Sequence, residues 1–178
     1  MNTSPNNYSS EAIQTALKNI AGQIAAGHAS ADRIILIGIA NGGIPFCEKL
    51  KAALQSITSI EIIAGQLNIT FHRDDIGTNP IPDEKMTTLI PYDIEGQTVI
   101  LVDDVLFSGR TVRAAINEIF DQGRPAQIEL AVLFDRGNRR LPIQPDYTGF
   151  ASATSLDQTV QVQLSTETPE NDCIRIIN

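Results

Sequence analysis

The segment RIILIGIA, from Arg33 to Ala40, is too short and too rich in β-branched residues for a helix, and nothing after its first residue is polar. It reads as a buried strand that ends in Asn41-Gly42-Gly43. A strand with no wet face needs cover, and helical patterns on either side supply it. Upstream, Ile13, Leu17, Ile20 and Ile24 form one helical stripe between Ser10 and His28, with Ser10 as the expected cap. Downstream, a helix is expected through Phe46, Leu50 and Leu54. The alternation then repeats. GQLNITF reads as a strand with Leu67, Ile69 and Phe71 on its covered face, followed by a strand over 98–103. A helix over 111–121 carries Val112, Ala115, Ile116, Ile119 and Phe120, and a strand over 127–134 comes after it. This order specifies an α/β fold with a mostly parallel central sheet, flanked by helices and joined by right-handed crossovers. TVQVQL and CIRII add two short strands near the C-terminus. Residues 74–91 show no periodicity and hold Gly77 and three prolines. They read as a long loop of the kind that is functional or disordered in a compact domain.

At 178 residues, 42% hydrophobic and 19% charged, one domain over 1–178 is expected. Cys47 and Cys173 are too few for a disulfide framework and lack metal-ligand spacing, so both are expected to pack in the core. No apolar stretch approaches the ~20 residues that span a bilayer, and MNTSPNNYSS has no leader pattern, so a cytoplasmic location is expected. A net charge of −8 argues against a broad nucleic-acid-binding face and leaves room only for a local basic patch.

The chemistry lies in TVILVDDVLFSGRTVRAA, Thr98 to Ala115. Val99, Ile100, Leu101 and Val102 lead into Asp103 and Asp104, two like charges that cost free energy in a partly dry place unless something meets them. Val105, Leu106, Phe107, Ser108, Gly109, Arg110 and Thr111 then turn the chain into a helix. Small residues there let successive N–H groups face one anion, with the helix N-terminus behind them. In an open parallel sheet, ligands bind at this end of the strands. A phosphate cradle directly after two carboxylates suits a sugar phosphate, whose hydroxyls, or an accompanying metal ion, would meet the carboxylates. A Cβ on Gly109 is expected to block the approach of the backbone to the phosphate.

VILVDDVLFSGRT resembles the thirteen-residue motif of the type I phosphoribosyltransferases, which bind phosphoribosyl pyrophosphate (PRPP), along its full length. ITFHRDD, DQGRP, ELAVLFDRGNRRLPI and PDYTG narrow the resemblance to the bifunctional pyr operon regulator and uracil phosphoribosyltransferase family, PyrR. This resemblance implies a type I phosphoribosyltransferase fold with a flexible lid over 74–91 and a small hood from the chain ends. It implies conversion of uracil and PRPP to UMP and pyrophosphate, with Mg2+ accompanying PRPP, no metal ligands from the protein alone, and a homodimer or higher assembly. Asp103 and Asp104 would hold the ribose hydroxyls, and Val105 to Thr111 would wrap the 5′-phosphate. Ala40, Asn41, Gly42 and Gly43 match the pyrophosphate loop, Arg73 would neutralise pyrophosphate, and Phe134, Asp135 and Arg136 would border the uracil.

The chain departs from the family at several places. Asn41-Gly42-Gly43 stands where Thr-Arg-Gly is usual, so pyrophosphate is expected to bind more weakly. Asn138 and Arg140 replace a histidine and an acidic residue. Asn19, Gln144 and Phe150 occupy positions that are usually basic, so binding to RNA, the family's second partner, is disfavoured. A second reading makes Arg136, Arg139 and Arg140 a solvated charge run. Of the three, Arg136 is assigned to the site because it directly follows the strand. His28 is expected only to complement the dipole at the end of its helix.

Overall fold

The apolar strands become the interior of a five-stranded, wholly parallel sheet in the order β3-β2-β4-β5-β6. The structure, a computed structural model, describes residues 7–69 and 87–178. In chain order the elements are β1 (Asn7–Tyr8), α1 (Ser10–Gly27), β2 (Arg33–Ile39), α2 (Gly43–Gln55), β3 (Glu61–Leu67), β4 (Thr98–Leu106) and α3 (Arg110–Gln122). β5 (Gln127–Asp135), β6 (Tyr147–Ala151), β7 (Thr159–Gln163) and β8 (Cys173–Ile177) complete the chain, with one 3-10 turn (Pro169–Asn171) before β8.

Successive side chains of a strand leave on opposite faces, and both faces of this sheet are covered. Ile34, Leu36, Ile100, Val102, Ala131 and Leu133 join Ile13, Leu17, Ile20 and Ile24 of α1 and Phe46, Leu50 and Leu54 of α2. Ile35, Ile37, Val99, Leu101, Leu130 and Val132 meet Val112, Ala115 and Ile119 of α3 on the other side. Phe120, expected on that stripe, is 42% exposed instead.

β1, β8 and β7 form a small antiparallel sheet, a hood built from the two chain ends. Tyr8 seats the hood against β5 and β6, its ring 5.6 Å from that of Phe134 and 4.4 Å from that of Phe150. Lys49 of α2 pairs with the buried Asp172 just before β8 at 2.7 Å.

Several boundaries differ from expectation. Ser9, not Ser10, caps α1 through its hydroxyl, while the Ser10 hydroxyl donates to the Pro169 carbonyl at 2.7 Å and ties α1 to the hood. β3 begins at Glu61 and ends at Leu67, paired along its whole length with β2. Ile69 is still buried beyond its end, and Phe71 falls outside the described residues. β4 runs three residues further, to Leu106, so the two aspartates lie within the strand. β6 was not anticipated: YTGFA has a glycine at its centre and no clear alternation. That glycine is required, because a Cβ at Gly149 would stand 2.7 Å from the Leu133 carbonyl oxygen.

Cys47 is buried, and burial pushes its thiol up to about 12. Cys173 is half-buried, with its sulfur 3.9 Å from Gln163 Oε1, so it is not a core residue. His28 does more than end a helix. Its Nε2 lies 3.0 Å from Glu129 Oε2, which also accepts from the Tyr147 hydroxyl at 2.8 Å. The expected lid lies mostly outside the described residues. Of that loop, Leu89 forms a single antiparallel bridge to Gln66 along the β3 edge. Among the described residues, no helix is long and apolar enough to cross a membrane.

Because Asp172 is buried and its charge is met by Lys49, removing only the cation leaves an uncompensated interior charge. Lys49→Met is expected to cost about 3–5 kcal/mol in urea titrations. The double variant Lys49→Met with Asp172→Leu should recover most of that loss.

Candidate active site

Three loops meet at the C-terminal edge of the sheet: the β2–α2 turn, the end of β4 with the turn into α3, and the segment after β5. Asp103 is 5% exposed and Asp104 is half-buried. Burial, and then the charge of Asp104, hold the Asp103 carboxyl well above the usual carboxylate range. Burial also raises Asp104, while the Val105 N–H pulls the other way. The Asp104 N–H donates to Asp103 Oδ1 at 3.0 Å. No cation among the described residues pairs with either carboxylate.

Asp104 reaches across to the N-terminus of α2. A Cβ built on Gly42 would lie 2.2 Å from Asp104 Oδ2, and one on Gly43 would lie 2.3 Å from the Val102 carbonyl oxygen. Gly43 therefore lets α2 start directly against β4, and Gly42 leaves room for the carboxylate at the positive end of the helix. A side chain at position 42 would move the Asp104 carboxylate from this seat. The Ala40–Asn41 peptide bond is cis.

The turn from β4 into α3 has a defined polarity. The Leu106 carbonyl accepts from the Arg136 N–H at 3.0 Å, and the Ser108 carbonyl accepts from the N–H groups of Arg140 and Leu141 at 3.0 and 3.1 Å. The Phe107 carbonyl accepts from Arg139 Nη1 at 2.9 Å. Three consecutive carbonyls thus face the segment after β5. In a trans peptide the N–H points opposite to the C=O. The N–H groups of Phe107, Ser108 and Gly109 accordingly face the other way, as an anion cradle requires. Gly109 adopts φ +89° as the cap of α3. Its Cβ position points at Ile143 and Leu141 rather than into the cradle. The expected harm of a side chain there is thus replaced by a different one, backbone strain in the left-handed region and crowding behind the turn.

The remaining sequence-expected residues separate into groups. Val99, Ile100, Leu101 and Val102 are fully buried and Leu106 nearly so; they position the carboxylates and have no surface for a ligand. Val105, Phe107 and Ser108 are half-buried, and Arg110 and Thr111 are exposed at the start of α3. Phe134 is completely buried beneath Tyr8 and does not border an open pocket. Asp135 spends its carboxylate on the Gly137 N–H at 2.9 Å and Arg139 Nη2 at 2.6 Å. The Arg136 guanidinium is held within the protein through Nε and Nη2. It donates to Thr154 Oγ1 at 2.9 Å and to the Ser155 and Gln158 carbonyls at 3.1 and 2.6 Å, and it lies 4.2 Å over the Phe107 ring. Arg73 lies outside the described residues. The sequence leaves Arg139, whose side chain is only 14% exposed, in a solvated charge run, because nothing in DRGNRRLP distinguishes a buried arginine from a solvated one.

A parallel sheet under a hood, with paired carboxylates and an anion cradle at one edge, defines a phosphoribosyltransferase domain, and the family of that description matches residues 7–166. Solved structures agree on the fold. The hypoxanthine phosphoribosyltransferase of Trypanosoma cruzi is 20% identical with a TM-score of 0.69, over 96% of this chain and 94% of that one. A hypoxanthine-guanine phosphoribosyltransferase from Bacillus anthracis is 18% identical with a TM-score of 0.66, over 95% of each chain. Curated relatives are nearer in sequence. The bifunctional protein PyrR of Chloroflexus aurantiacus is 47% identical over 157 residues, 88% of this chain and 86% of that protein. That of Deinococcus radiodurans is 42% identical over 173 residues, 96% and 92% of the two chains. The chain belongs to the PyrR family of phosphoribosyltransferases.

Folding takes up protons at the Asp103–Asp104 pair, because both folded-state pKa values lie above those of the unfolded chain. The resulting destabilisation is absent below the ordinary carboxylate range and grows as pH rises through it toward the folded-state values. Asp103→Asn and Asp104→Asn are therefore expected to raise the Tm of the ligand-free protein at about pH 8, with the gain vanishing near about pH 4. Calorimetry across that range checks this; a gain independent of pH would mean that the carboxylates are not the source.

Proposed function

We propose that this chain is a uracil phosphoribosyltransferase, converting uracil and PRPP to UMP and pyrophosphate. The observation that carries this reading is the carboxylate pair of Asp103, buried, and Asp104, half-buried, with no cation partner among the described residues, set between the α2 N-terminus and the amide-lined turn into α3. In the reaction, N1 of uracil forms a bond to C1′ of the ribose, the bond from C1′ to the pyrophosphate oxygen breaks, and the N1 proton passes to solvent. Asp103 and Asp104 accept hydrogen bonds from the ribose hydroxyls, and their charge favours the cationic ribosyl centre that develops at C1′. The N–H groups of the turn orient the 5′-phosphate, and the backbone of Ala40, Asn41, Gly42 and Gly43 at the start of α2 receives pyrophosphate.

The donor set suits Mg2+, an ion that binds through one or two carboxylates together with substrate phosphates rather than in a protein cage. Among the described residues there is no cluster of three or more His, Cys, Asp or Glu, so Asp103 and Asp104 are the groups that would hold the ion. When bound with PRPP it neutralises charge on the leaving pyrophosphate. Arg73 and the lid over 74–91 belong to the same reading, in neutralising pyrophosphate and excluding water, as does assembly into a homodimer or higher homo-oligomer.

Turnover with a panel of purine and pyrimidine bases tests the base. Uracil is expected to be preferred, and preference for another base would reassign the substrate. Asp103→Asn and Asp104→Asn should each lower kcat/KM about 10²-fold or more without lowering Tm. Retained specific activity would make the pair structural.

The alternative role, a UMP-sensing RNA-binding attenuator of pyrimidine gene expression, is weak or lost in this chain. Asn19 and Phe150 line one shallow depression of about 420 Å3 between α1 and β6, and the only charged residue in its lining is Glu11. Gln144 is exposed elsewhere, with 13 basic against 21 acidic residues in the whole chain. RNA affinity draws heavily on Lys and Arg at phosphates, and the exposed basic residues among those described, Lys18, Arg110, Arg124, Arg140 and Arg175, are not the positions the family uses. Titration of a labelled pyrimidine leader hairpin with UMP, from low to physiological salt, is expected to show no saturable binding at the upper end. Sequence-dependent saturation there would restore the bifunctional role.

A further inference from the structure

We propose that Arg139 is the positioning residue that gives the phosphate-binding turn its polarity, by fixing the Leu106 and Phe107 peptides with their carbonyls turned away from the ligand. This deepens the phosphoribosyl reading and rests on it. Arg139 leaves the segment after β5 and threads behind the turn. Its Nη1 donates to the Phe107, Gly137 and Leu106 carbonyls at 2.9, 3.2 and 3.4 Å, and its Nε donates to the Ile143 carbonyl at 2.9 Å. Its Nη2 is anchored on Asp135 at 2.6 Å. Every nitrogen of the guanidinium has a protein acceptor, so the residue acts through the backbone.

The neighbouring carbonyls have backbone donors of their own. Leu106 is also held by the Arg136 N–H, and Ser108 by two N–H groups. Among the described residues, the Phe107 carbonyl has Arg139 alone. That peptide unit carries the Ser108 N–H, the middle of the three amides aimed at the anion. Without Arg139 the unit can rotate and present its carbonyl to the phosphate, replacing an attraction by a repulsion. Lysine cannot substitute, because one ammonium group cannot span several carbonyls and a carboxylate in the geometry of a planar fork. Arg136 assists from the side, its guanidinium 4.2 Å over the Phe107 ring, and fixes the side chain of the same residue whose carbonyl Arg139 holds.

The two ends of PRPP separate this role from a general structural one. The 5′-phosphate meets the turn that Arg139 braces, whereas pyrophosphate meets the start of α2, which Arg139 does not touch. Calorimetric titration of full-length wild type, Arg139→Lys and Arg139→Met with ribose 5-phosphate, and separately with magnesium pyrophosphate, is the test. Both variants are expected to bind ribose 5-phosphate at least about tenfold more weakly, with pyrophosphate affinity unchanged. In turnover, KM for PRPP should rise by more than kcat falls. Asp135→Asn loosens the anchor without removing the guanidinium and is expected to give a smaller loss in the same direction at wild-type Tm. It decides the matter if the Arg139 variants do not fold. Unchanged ribose 5-phosphate affinity in the folded variants, or an equal loss at both ends of PRPP, overturns the inference alone. Failure of the wild type to bind either PRPP or ribose 5-phosphate overturns the phosphoribosyl reading, and this inference with it.

Discussion

Two adjacent carboxylates inside a strand, one buried and one half-buried, are held with no cation partner among the described residues, and the architecture around them follows from tolerating that cost. Asp103 and Asp104 sit within β4, the central strand of the five, so the strands and helices on either side clamp them in place. The close start of α2 against β4, possible because Gly43 lacks a side chain, puts a helix N-terminus beside Asp104, whose carboxylate takes the space left at Gly42. The outward-turned carbonyls of the next turn leave amides on the ligand side. In the proposed function, a polyhydroxylated, phosphorylated ligand supplies the partners that this site lacks. The fold spends stability to keep the carboxylates ready.

The legible part of the sequence was whatever depended on periodicity or on one contiguous motif. The strand from Thr98 and the stripes of α1 and α3 announce themselves because burial on both faces of a sheet demands unbroken apolar runs, and burial of one helix face demands a 3.6-residue repeat. The carboxylates and the turn after them were legible because thirteen consecutive residues carry them. β6 was not legible. YTGFA has neither alternation nor a β-branched run, and it becomes a strand because β5 offers a free edge and Gly149 permits close approach to Leu133. β3 was placed late for a related reason: its pairing with β2 begins at Glu61, and a charged residue at a strand end looks like a loop.

Side-chain roles after β5 were the least legible. Phe134, Asp135 and Arg136 follow the strand toward the site and invite assignment to a base pocket. Direction along a strand does not say which side chains are already committed to their own protein. Here the phenylalanine belongs to the core, the aspartate to Arg139, and Arg136 to the carbonyls of the segment before β7. Such commitments depend on where backbone carbonyls point, which residue type alone does not encode.

Their consequence is a physical link between two parts of the molecule that the chain keeps far apart. Arg136 stacks on Phe107 in the turn into α3 and at the same time holds the Ser155 and Gln158 carbonyls, just before the hood strand β7. The hood is in turn fastened to α1 by the Ser10 hydroxyl and to α2 by the ion pair of Lys49 with Asp172. α2 begins at Gly43, beside the glycine that faces Asp104. Hydrogen bonds, an ion pair and a ring contact therefore connect the start of α2, the hood and the turn into α3 in one path around the carboxylates. The hood strands β1, β7 and β8 thereby help hold the start of α2 and the turn into α3 at a fixed separation. For the proposed substrate, with a phosphate at one end and a pyrophosphate at the other, that fixed distance serves orientation, which contributes to rate when the reacting groups are held in place.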